Sequence, residues 1–255
     1  MEKTFQNKTA IITGAGVGIG FEIARQLAAR GALVLLNDID EAVAQAAAKA
    51  IQDEDGICMA IAGDASDVDF IQKMIDTAMK YFGGVDITVA NAGITTFGKF
   101  LEYQAKDFQR LMSVNLQGSF FLAQAAARQM IAQNRPGRIL FMSSVTGHQF
   151  HPNLAAYGMT KAALEMLTKS LGVELAAHQI TVNAIAPGAT ITERTVQLEP
   201  DFQKTWEALT PTGKVSMPGD IANAALFLLS PFSGQITGQS LVVDGGWTAV
   251  SPPPE

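Results

Sequence analysis

Residues 9–20 read Thr-Ala-Ile-Ile-Thr-Gly-Ala-Gly-Val-Gly-Ile-Gly, and they carry the clearest structural signal in this sequence. A short apolar run is followed by a glycine turn. Residues 21–30 then show the apolar periodicity of an amphipathic helix that ends at Gly31. Bare glycine backbone lets a pyrophosphate approach, and the unpaired N–H groups and dipole at a helix start stabilise its charge. The stretch therefore predicts a strand, a phosphate-binding turn and a helix; a purely structural glycine turn is the alternative.

An acidic residue stands at the end of the next predicted strand. The apolar run of that strand covers residues 32–36, and the strand ends at Asp38, twenty residues after Gly18. A carboxylate at this place can accept hydrogen bonds from an adenosine ribose, and it repels a 2′-phosphate. Neither Asn37 nor Ile39 adds a positive charge, and the glycine loop contains no Arg or Lys. We therefore expect NAD(H) to be favoured over NADP(H), with a solvated surface aspartate as the alternative.

Apolar runs alternate with helical patterns along the rest of the chain, which indicates parallel strands joined by crossover helices. Further strands are predicted at residues 57–62, 85–90, 138–142, 180–185 and 240–243. The helical patterns lie near residues 66–82, 104–133, 153–177 and 218–230. Open α/β sheets bind ligands at the carboxyl ends of their strands, so the candidate site is expected at that edge.

A phenol and an ammonium group stand four residues apart in the segment Tyr157-Gly-Met-Thr-Lys161. Positions i and i+4 share one face of a helix, so the two side chains can share a site. A nearby cation favours the phenolate form, which suits a tyrosine to acid–base work near neutral pH. Ser144 stands thirteen residues upstream, and strand alternation turns its neighbour Ser143 to the opposite face. These residues predict a catalytic group; a turn cap and a surface lysine are the alternatives for Ser144 and Lys161.

Several motifs in this order resemble the short-chain dehydrogenase/reductase family, over nearly the whole chain from about residue 8 to residue 247. The family's glycine pattern, TGxxxGIG, is matched at residues 13–20. The segment after its fourth strand resembles Asn91-Ala-Gly93, although Ala90 stands where the family often has Asn. Pro187-Gly-Ala-Thr-Ile-Thr192 resembles the family segment that holds the nicotinamide carboxamide. Val243-Asp-Gly-Gly246 resembles the family's C-terminal signature.

The resemblance implies an α/β fold. We expect a single doubly wound Rossmann domain over residues 1–255, with a seven-stranded parallel sheet in the order 3-2-1-4-5-6-7 and helices on both faces. The implied cofactor-binding residues are Gly14, Gly18, Ile19, Asp38, Asp64, Ala65, Asn91, Tyr157, Lys161, Pro187, Thr190 and Thr192.

The resemblance also implies a catalytic set and a reaction, which is hydride transfer between nicotinamide and a secondary alcohol or ketone without a metal. In this set Tyr157 exchanges the substrate proton and Ser144 steadies the substrate oxygen. Lys161 is expected to hold the nicotinamide ribose. Asn115 is expected to anchor a water that connects Lys161 to solvent; a buried structural hydrogen bond is its alternative role.

The segment expected to cover the site bears on the class of substrate. Residues 191–216, which we expect to form a mobile lid, carry four acidic and three basic residues and therefore no dominant cationic patch. This favours a small polar or cyclic secondary alcohol, as in sugar or polyol dehydrogenases. The alternative is a 3-oxoacyl-[acyl-carrier-protein] reductase: Arg135 matches one member of the basic pair that docks the carrier, but His178 replaces the second.

A catalytically silent nucleotide-binding scaffold is the alternative of another class, and the intact catalytic set argues against it.

Composition excludes several other classes. The 255 residues carry a formal net charge of −6, which disfavours nucleic acid and anionic lipid as partners. Cys58 is the only cysteine, so an intrachain disulfide and a thiolate zinc site are excluded. The three histidines lack metal-site spacing; His148 and His151 either line the substrate pocket or lie in a surface loop.

Residues 1–8 lack the apolar core of a signal peptide, and no apolar run approaches about 18 residues, so we expect a soluble cytoplasmic protein.

The resemblance further implies a homotetramer. Relatives pair the long helices before and after the catalytic strand, here about 104–133 and 153–177, and the first of these is rich in apolar and small residues. A second interface is expected from residues 218–230 and the final strand. Closed two-fold symmetry follows when each patch is self-complementary. The alternative is that these residues simply pack on their own sheet.

Overall fold

Seven parallel strands form one sheet in the order β3-β2-β1-β4-β5-β6-β7 in the computed structural model, which describes residues 3–250. The strands are β1 (Thr9–Ile12), β2 (Leu33–Asp38), β3 (Ile57–Ala62), β4 (Ile87–Ala90), β5 (Gly137–Met142), β6 (Ile180–Pro187) and β7 (Ser240–Val243). The helices are α1 (Gly18–Ala29), α2 (Glu41–Asp53), α3 (Val68–Phe82), α4 (Ala105–Met112), α5 (Ser119–Ala132), α6 (Ala155–Glu174), α7 (Glu193–Leu198), α8 (Phe202–Leu209) and α9 (Pro218–Leu229). The predicted α/β fold and its strand order are confirmed.

Alternate side chains of the central strands face two separate cores. On one face, Ile12 and Leu36 pack with α1, α2 and α9. On the other face, Ile11 and Leu35 pack with α3, α5 and α6. All four side chains are fully buried, so the sheet is covered on both sides. The carboxyl edge of the strands is therefore the place where loops can form a ligand site.

Several element boundaries differ from the predictions. β2 begins at Leu33 rather than at residue 32, and it ends at Asp38 as predicted. β4 begins at Ile87 rather than at residue 85, because the side chain of Gln133 hydrogen-bonds both the N–H and the C=O of Val85. Helix α2 was not predicted; the side chain of Asp40 caps its first turn.

The helix predicted over residues 104–133 is divided. A π-helical turn, Ser113–Gly118, separates α4 from α5. Gly118 lies directly against the loop after β3: a side chain there would begin 2.5 Å from the carbonyl oxygen of Ala65. Asn115 lies in this turn and is fully buried. Such turns are frequent at functional sites.

The segment 191–216 contains two short helices, α7 and α8, which were not predicted. A reciprocal cap begins α7: the hydroxyl of Thr192 accepts from the backbone of Thr195 at 3.2 Å, and the Thr195 hydroxyl accepts from the Thr192 N–H at 2.8 Å. The segment is therefore locally ordered in this conformation, and its mobility as a lid stays a prediction.

Candidate active site

The glycine loop leaves bare backbone at the start of α1. Gly14 and Gly18 have φ angles of +59° and +62°, in the left-handed region that favours glycine. A side chain at Gly16 would begin 2.7 Å from a carboxylate oxygen of Asp38. No side chain among residues 3–250 caps the start of α1, so its first N–H groups can bind an anion. These features fit the pyrophosphate of a dinucleotide.

Two neighbouring cavities lie at the carboxyl edge of the sheet. The first, the loop cavity of about 360 Å³, is bordered by these predicted cofactor-binding residues: Gly14, Gly18, Ile19, Asp38, Asp64, Ala65, Asn91 and Thr192. The second, the tyrosine cavity of about 390 Å³, is bordered by these predicted residues: Ser144, Tyr157, Lys161, Pro187 and Thr190. Residues common to both borders are Ile19, Asn91, Gly93, Thr192 and Arg194. The two cavities therefore adjoin along these residues.

Asp64 is held in the loop cavity by three donors. Its carboxylate accepts from the N–H and hydroxyl of Ser66 at 2.9 and 2.7 Å, and from the guanidinium of Arg110 at 2.9 Å. Burial raises the pKa of Asp64, but the hydrogen bonds from Ser66 and Arg110 outweigh it and hold this pKa below its ordinary value. Arg110 was not predicted as a site residue, because α4 is remote from the glycine loop in sequence.

Asn91 joins the end of β4 to the glycine loop. Its side-chain amide donates to the carbonyl oxygens of Thr13 and Gly14 at 2.9 and 2.8 Å. A side chain at Gly20 would begin 2.4 Å from the same amide nitrogen, so the contact requires glycine there. The neighbouring Ala90 is a buried core residue. The polar link between strand and loop is therefore made by Asn91.

Tyr157 and Lys161 lie on the same face of α6. The Lys161 ammonium is 5.5 Å from the centre of the Tyr157 ring, and the lysine is only 4% exposed. Its nitrogen donates to the carbonyl oxygen of Met142, at the end of β5, at 2.7 Å. This is the one hydrogen bond of the ammonium to the described residues, so two of its three N–H donors can bind a ligand or water. A buried cation beside a phenol is unusual on a helix surface and argues against a simple surface lysine.

Ser144 begins a short 3₁₀ turn, Val145–Gly147, that follows β5. Its hydroxyl oxygen accepts from the N–H of Thr146 at 3.3 Å. No acceptor among residues 3–250 takes its hydroxyl hydrogen, which can therefore donate to a substrate oxygen. Ser143 also borders the cavity, but its hydroxyl donates to Glu165 at 2.7 Å. Ser144 is thus both a turn cap and the serine that is available to a ligand.

Asn115 borders neither cavity. Its amide donates to the carbonyl oxygen of Ile94 and the hydroxyl of Thr160 at 3.0 and 3.1 Å, and its carbonyl accepts from the Ile94 N–H at 2.9 Å. The buried hydrogen bonds that were its alternative role are therefore present. A side chain at Gly93 would begin 3.5 Å from both Asn115 Oδ1 and Lys161 Nζ, so the two atoms flank one small space. Its role in anchoring water stays a prediction.

One side of the tyrosine cavity is aromatic. Trp206 packs against three other rings, and its centroid lies 5.2 Å from Trp247, 6.0 Å from Phe202 and 6.2 Å from His151. We call these four side chains the aromatic wall, and Phe97 also borders the cavity. The sequence offered His151 as a candidate pocket residue and placed residue 206 within the expected lid, but it did not group the four rings, since they come from three distant segments without a shared motif.

Two charged residues from the segment 191–216 border the same cavity. Arg194 donates to the carbonyl oxygen of Thr95 at 3.1 Å, which ties α7 to the loop after β4. Glu199, at the end of α7, is half-buried at the cavity border. His148, in contrast, does not border the cavity and contacts Glu165 instead.

Within residues 3–250, no group of three or more His, Cys, Asp or Glu side chains is arranged to hold a metal ion. In the same part of the chain, no helix combines the length and the apolar character needed to cross a membrane.

Comparison with known proteins places this site in context. A family model described as "Enoyl-(Acyl carrier protein) reductase" matches residues 14–248. The 3beta-hydroxysteroid dehydrogenase 1 of Eggerthella lenta is 37% identical over 251 residues, which cover 97% of this chain and 96% of that protein.

Solved structures agree over almost the full chain. A short-chain type dehydrogenase/reductase from Mycobacterium marinum superposes with a TM-score of 0.92 at 36% identity, covering 96% of this chain and 97% of that one. A gluconate 5-dehydrogenase from Burkholderia cenocepacia, in complex with NADP and tartrate, superposes with a TM-score of 0.90 at 36% identity and the same coverage.

Proposed function

The chain belongs to the short-chain dehydrogenase/reductase family of oxidoreductases that act on hydroxyl and keto groups, and we propose that it transfers a hydride between NAD(H) and a secondary alcohol or ketone. The observation that carries this proposal is the placement of Ser144, Tyr157 and Lys161 around one cavity that adjoins the loop cavity and shares five border residues with it. A phenol, a buried cation and an available hydroxyl supply the acid–base and hydrogen-bonding groups that such a reaction needs.

Each residue of the set has a distinct role in the proposed reaction. Tyr157 takes the hydroxyl proton of the alcohol in oxidation and returns it in reduction. Lys161 places a positive charge where negative charge develops during that transfer, and its remaining N–H groups bind ribose hydroxyls. Ser144 donates to the substrate oxygen. When bound, nicotinamide supplies the hydride acceptor for oxidation and the hydride donor for reduction.

The proposed preference for NAD(H) is supported by Asp38. Its carboxylate borders the loop cavity beside Ile39 and accepts the Gly16 N–H at 3.0 Å. A 2′-phosphate placed there would meet like charge in a partly desolvated site, which costs several kcal/mol. Arg110 borders the same cavity, but it is engaged with Asp64.

For the substrate we propose a cyclic member of the small polar or cyclic alcohols. The aromatic wall supports this choice, since flat rings offer apolar contact and edge or face packing to a ring substrate. The Eggerthella lenta relative is named for a steroid alcohol, which is also cyclic. Arg194 and Glu199 at the border offer polar contacts for ring substituents.

A carrier-bound 3-oxoacyl thioester is the second candidate, and one observation favours it. Arg135 and His178, the residues at the carrier-docking positions, border one surface cavity together. However, they precede β5 and β6, whereas Ser144 and Pro187 lie at the opposite ends of those strands. A carrier docked there would present its thioester far from the tyrosine cavity of the same chain. This placement supports a secondary alcohol as the substrate over a carrier-bound thioester.

The decisive experiment is a panel of alcohols and ketones, followed by NADH absorbance at 340 nm. We expect turnover with at least one secondary alcohol, and a loss of about 10²- to 10⁴-fold in Tyr157→Phe, because the phenol hydroxyl is the proton acceptor. The variant should bind NADH as wild type does. Equal turnover by the variant would remove Tyr157 from the mechanism. No turnover with any compound, despite NADH binding, would favour the silent scaffold.

We further propose that the chain acts as one domain with a lid at residues 191–216, and that it assembles as a homotetramer. Exposed apolar side chains on α4, α5 and α6 support the first interface: Phe108, Phe120, Met159, Met166 and Val173. Others on α9, β7 and the segment after it support the second: Phe227, Leu241 and Val250. Light scattering at micromolar concentration should give about four times 27.0 kDa. A monomer would contradict both interfaces, and a dimer would contradict one.

A further inference from the structure

The carboxylate of Glu165 links helix α6, which carries Tyr157 and Lys161, to the turn that carries Ser144. Glu165 lies on α6 four residues after Lys161 and eight after Tyr157, so the three side chains share one face of the helix. It is mostly buried, with its side chain 13% exposed. Neither the reaction nor cofactor binding, as described above, uses this group.

One oxygen of Glu165 accepts a hydrogen bond from Ser143 and lies close to His148. The hydroxyl of Ser143 donates to Glu165 Oε1 at 2.7 Å, and His148 Nε2 lies 3.0 Å from the same atom. Ser143 directly precedes Ser144, and His148 directly follows the 3₁₀ turn that begins after Ser144. Glu165 therefore holds both ends of the turn that carries Ser144. Hydrogen bonds to a carboxylate are stronger than neutral ones.

The backbone of the same turn packs closely on α6. A side chain at Gly147 would begin 2.9 Å from the backbone nitrogen of Ala162 and 3.1 Å from Glu165 Oε1. A side chain at Gly158 would begin 2.6 Å from the carbonyl oxygen of Thr146. The turn and the helix thus lie in close contact, and the Ser143 hydroxyl links them through Glu165 at 2.7 Å and the carbonyl oxygen of Lys161 at 3.1 Å.

We propose that Glu165 is a positioning residue, which fixes the hydroxyl of Ser144 relative to Tyr157 through its contacts with Ser143 and His148. The kinetic part of this proposal rests on the function proposed above. Ser144 and Tyr157 belong to different elements. The distance and orientation between their hydroxyls therefore depend on how the turn after β5 packs on α6. Misplacement by about 1 Å at such a site can cost on the order of 10²-fold in rate.

The test compares Glu165→Ala and Glu165→Gln with wild type. In the alanine variant we expect kcat to fall about 10- to 100-fold, with the KM for NAD⁺ and the Kd for NADH unchanged. The glutamine variant should recover most of the activity, because its amide oxygen can still accept from the Ser143 hydroxyl and occupy the place beside His148. Glu174→Ala, an exposed acid on the same helix, is the matched control and should behave as wild type.

A double-variant cycle identifies the contact itself. If Ser143 and Glu165 act together, Ser143→Ala combined with Glu165→Ala should be no slower than the slower single variant. Full additivity of the two losses would mean that they act separately and would overturn the proposal.

Hydrogen exchange measured by mass spectrometry tests the positioning role without any turnover. We expect the peptide covering residues 143–149 to exchange faster in Glu165→Ala, with the remaining peptides unchanged. Unchanged exchange in that peptide overturns the proposal, whether or not the enzyme turns over an alcohol. A parallel loss of NADH binding also overturns it, since the role would then be general stability. Absence of turnover in wild type would count against the proposed function alone.

Discussion

The carboxylate of Asp38 accepts a hydrogen bond from the N–H of Gly16, so the end of β2 is joined to the glycine loop at 3.0 Å. The contact holds a negative charge at the border of the loop cavity. It also explains why residue 16 is glycine, since a side chain there would begin 2.7 Å from the same carboxylate oxygen. The shape of the loop therefore depends on this side chain, and the proposed preference for NAD(H) rests on the same carboxylate.

Replacing Asp38 should relax the choice of cofactor. In Asp38→Ala we expect the ratio of kcat/KM for NAD⁺ to that for NADP⁺ to fall at least about tenfold, because repulsion of the 2′-phosphate is removed. Asp53→Ala, which removes an exposed acid from α2, is the control and should leave the ratio unchanged. A wild-type enzyme that prefers NADP⁺ would show that our interpretation of Asp38 is wrong.

Removing the centre of the aromatic wall should weaken selection of ring substrates. In Trp206→Ala we expect kcat/KM for cyclic alcohols to fall about tenfold or more, while that for linear polyols changes little. The KM for NAD⁺ should not change, since Trp206 does not border the loop cavity. Phe150→Ala, at an 86% exposed site, serves as control. A uniform loss across all substrates would contradict a role in selection.

Asp244 should make the C-terminal loop sensitive to acid. Its carboxylate accepts from the N–H groups of Gly246 and Thr248 and from the Thr248 hydroxyl, at 2.7 to 2.8 Å. Burial raises the pKa of Asp244, but these hydrogen bonds outweigh it and hold the pKa below the ordinary value of 3.8. The ionised form is therefore favoured by folding. Ionised Asp244 therefore contributes fully to folding stability at pH values above its ordinary pKa. This contribution is lost as the pH falls through the lower pKa of the folded state.

Thermal melts of wild type and Asp244→Asn between pH 3 and 8 check this expectation. At pH 7 we expect the variant to be less stable by about 1–3 kcal/mol, which corresponds to roughly 2–10 °C in Tm for a chain of this length. The difference should shrink as the pH is lowered below about 4. Other carboxylates titrate in both proteins, so only the difference reports on Asp244. A difference that is constant with pH would contradict the assignment.

Cys58 should be unreactive in the folded protein. The thiol lies in β3 and is 5% exposed, and burial raises its pKa to about 12. Because the thiolate is the reactive form, a disulfide reagent at pH 8 should label the native protein very slowly. One equivalent should react promptly in guanidinium chloride. Rapid labelling of the native protein would show that β3 opens readily at the sheet edge.

The features that the sequence determines are local ones. A strand, a glycine turn and a helix start are consecutive at residues 9–20, and Tyr157 and Lys161 share a helix face at spacing i, i+4. Such patterns reflect backbone sterics and helix periodicity, which act over a few residues. Resemblance to a known family then supplied the strand order, which local patterns do not contain. Boundaries were less predictable: β4 begins two residues later than predicted, where Gln133 binds Val85 from 48 residues away in the chain.

Tertiary structure alone decided which distant side chains meet at the site. Arg110 hydrogen-bonds Asp64, which is 46 residues away in the chain. Trp206, on α8, packs against His151 and Trp247, which come from two other segments. Glu165 has no motif of its own, and its contacts with Ser143 and His148 exist only because α6 packs on the turn after β5. These contacts depend on the packing of elements in three dimensions, and sequence periodicity does not encode the rotation and depth of one element against another.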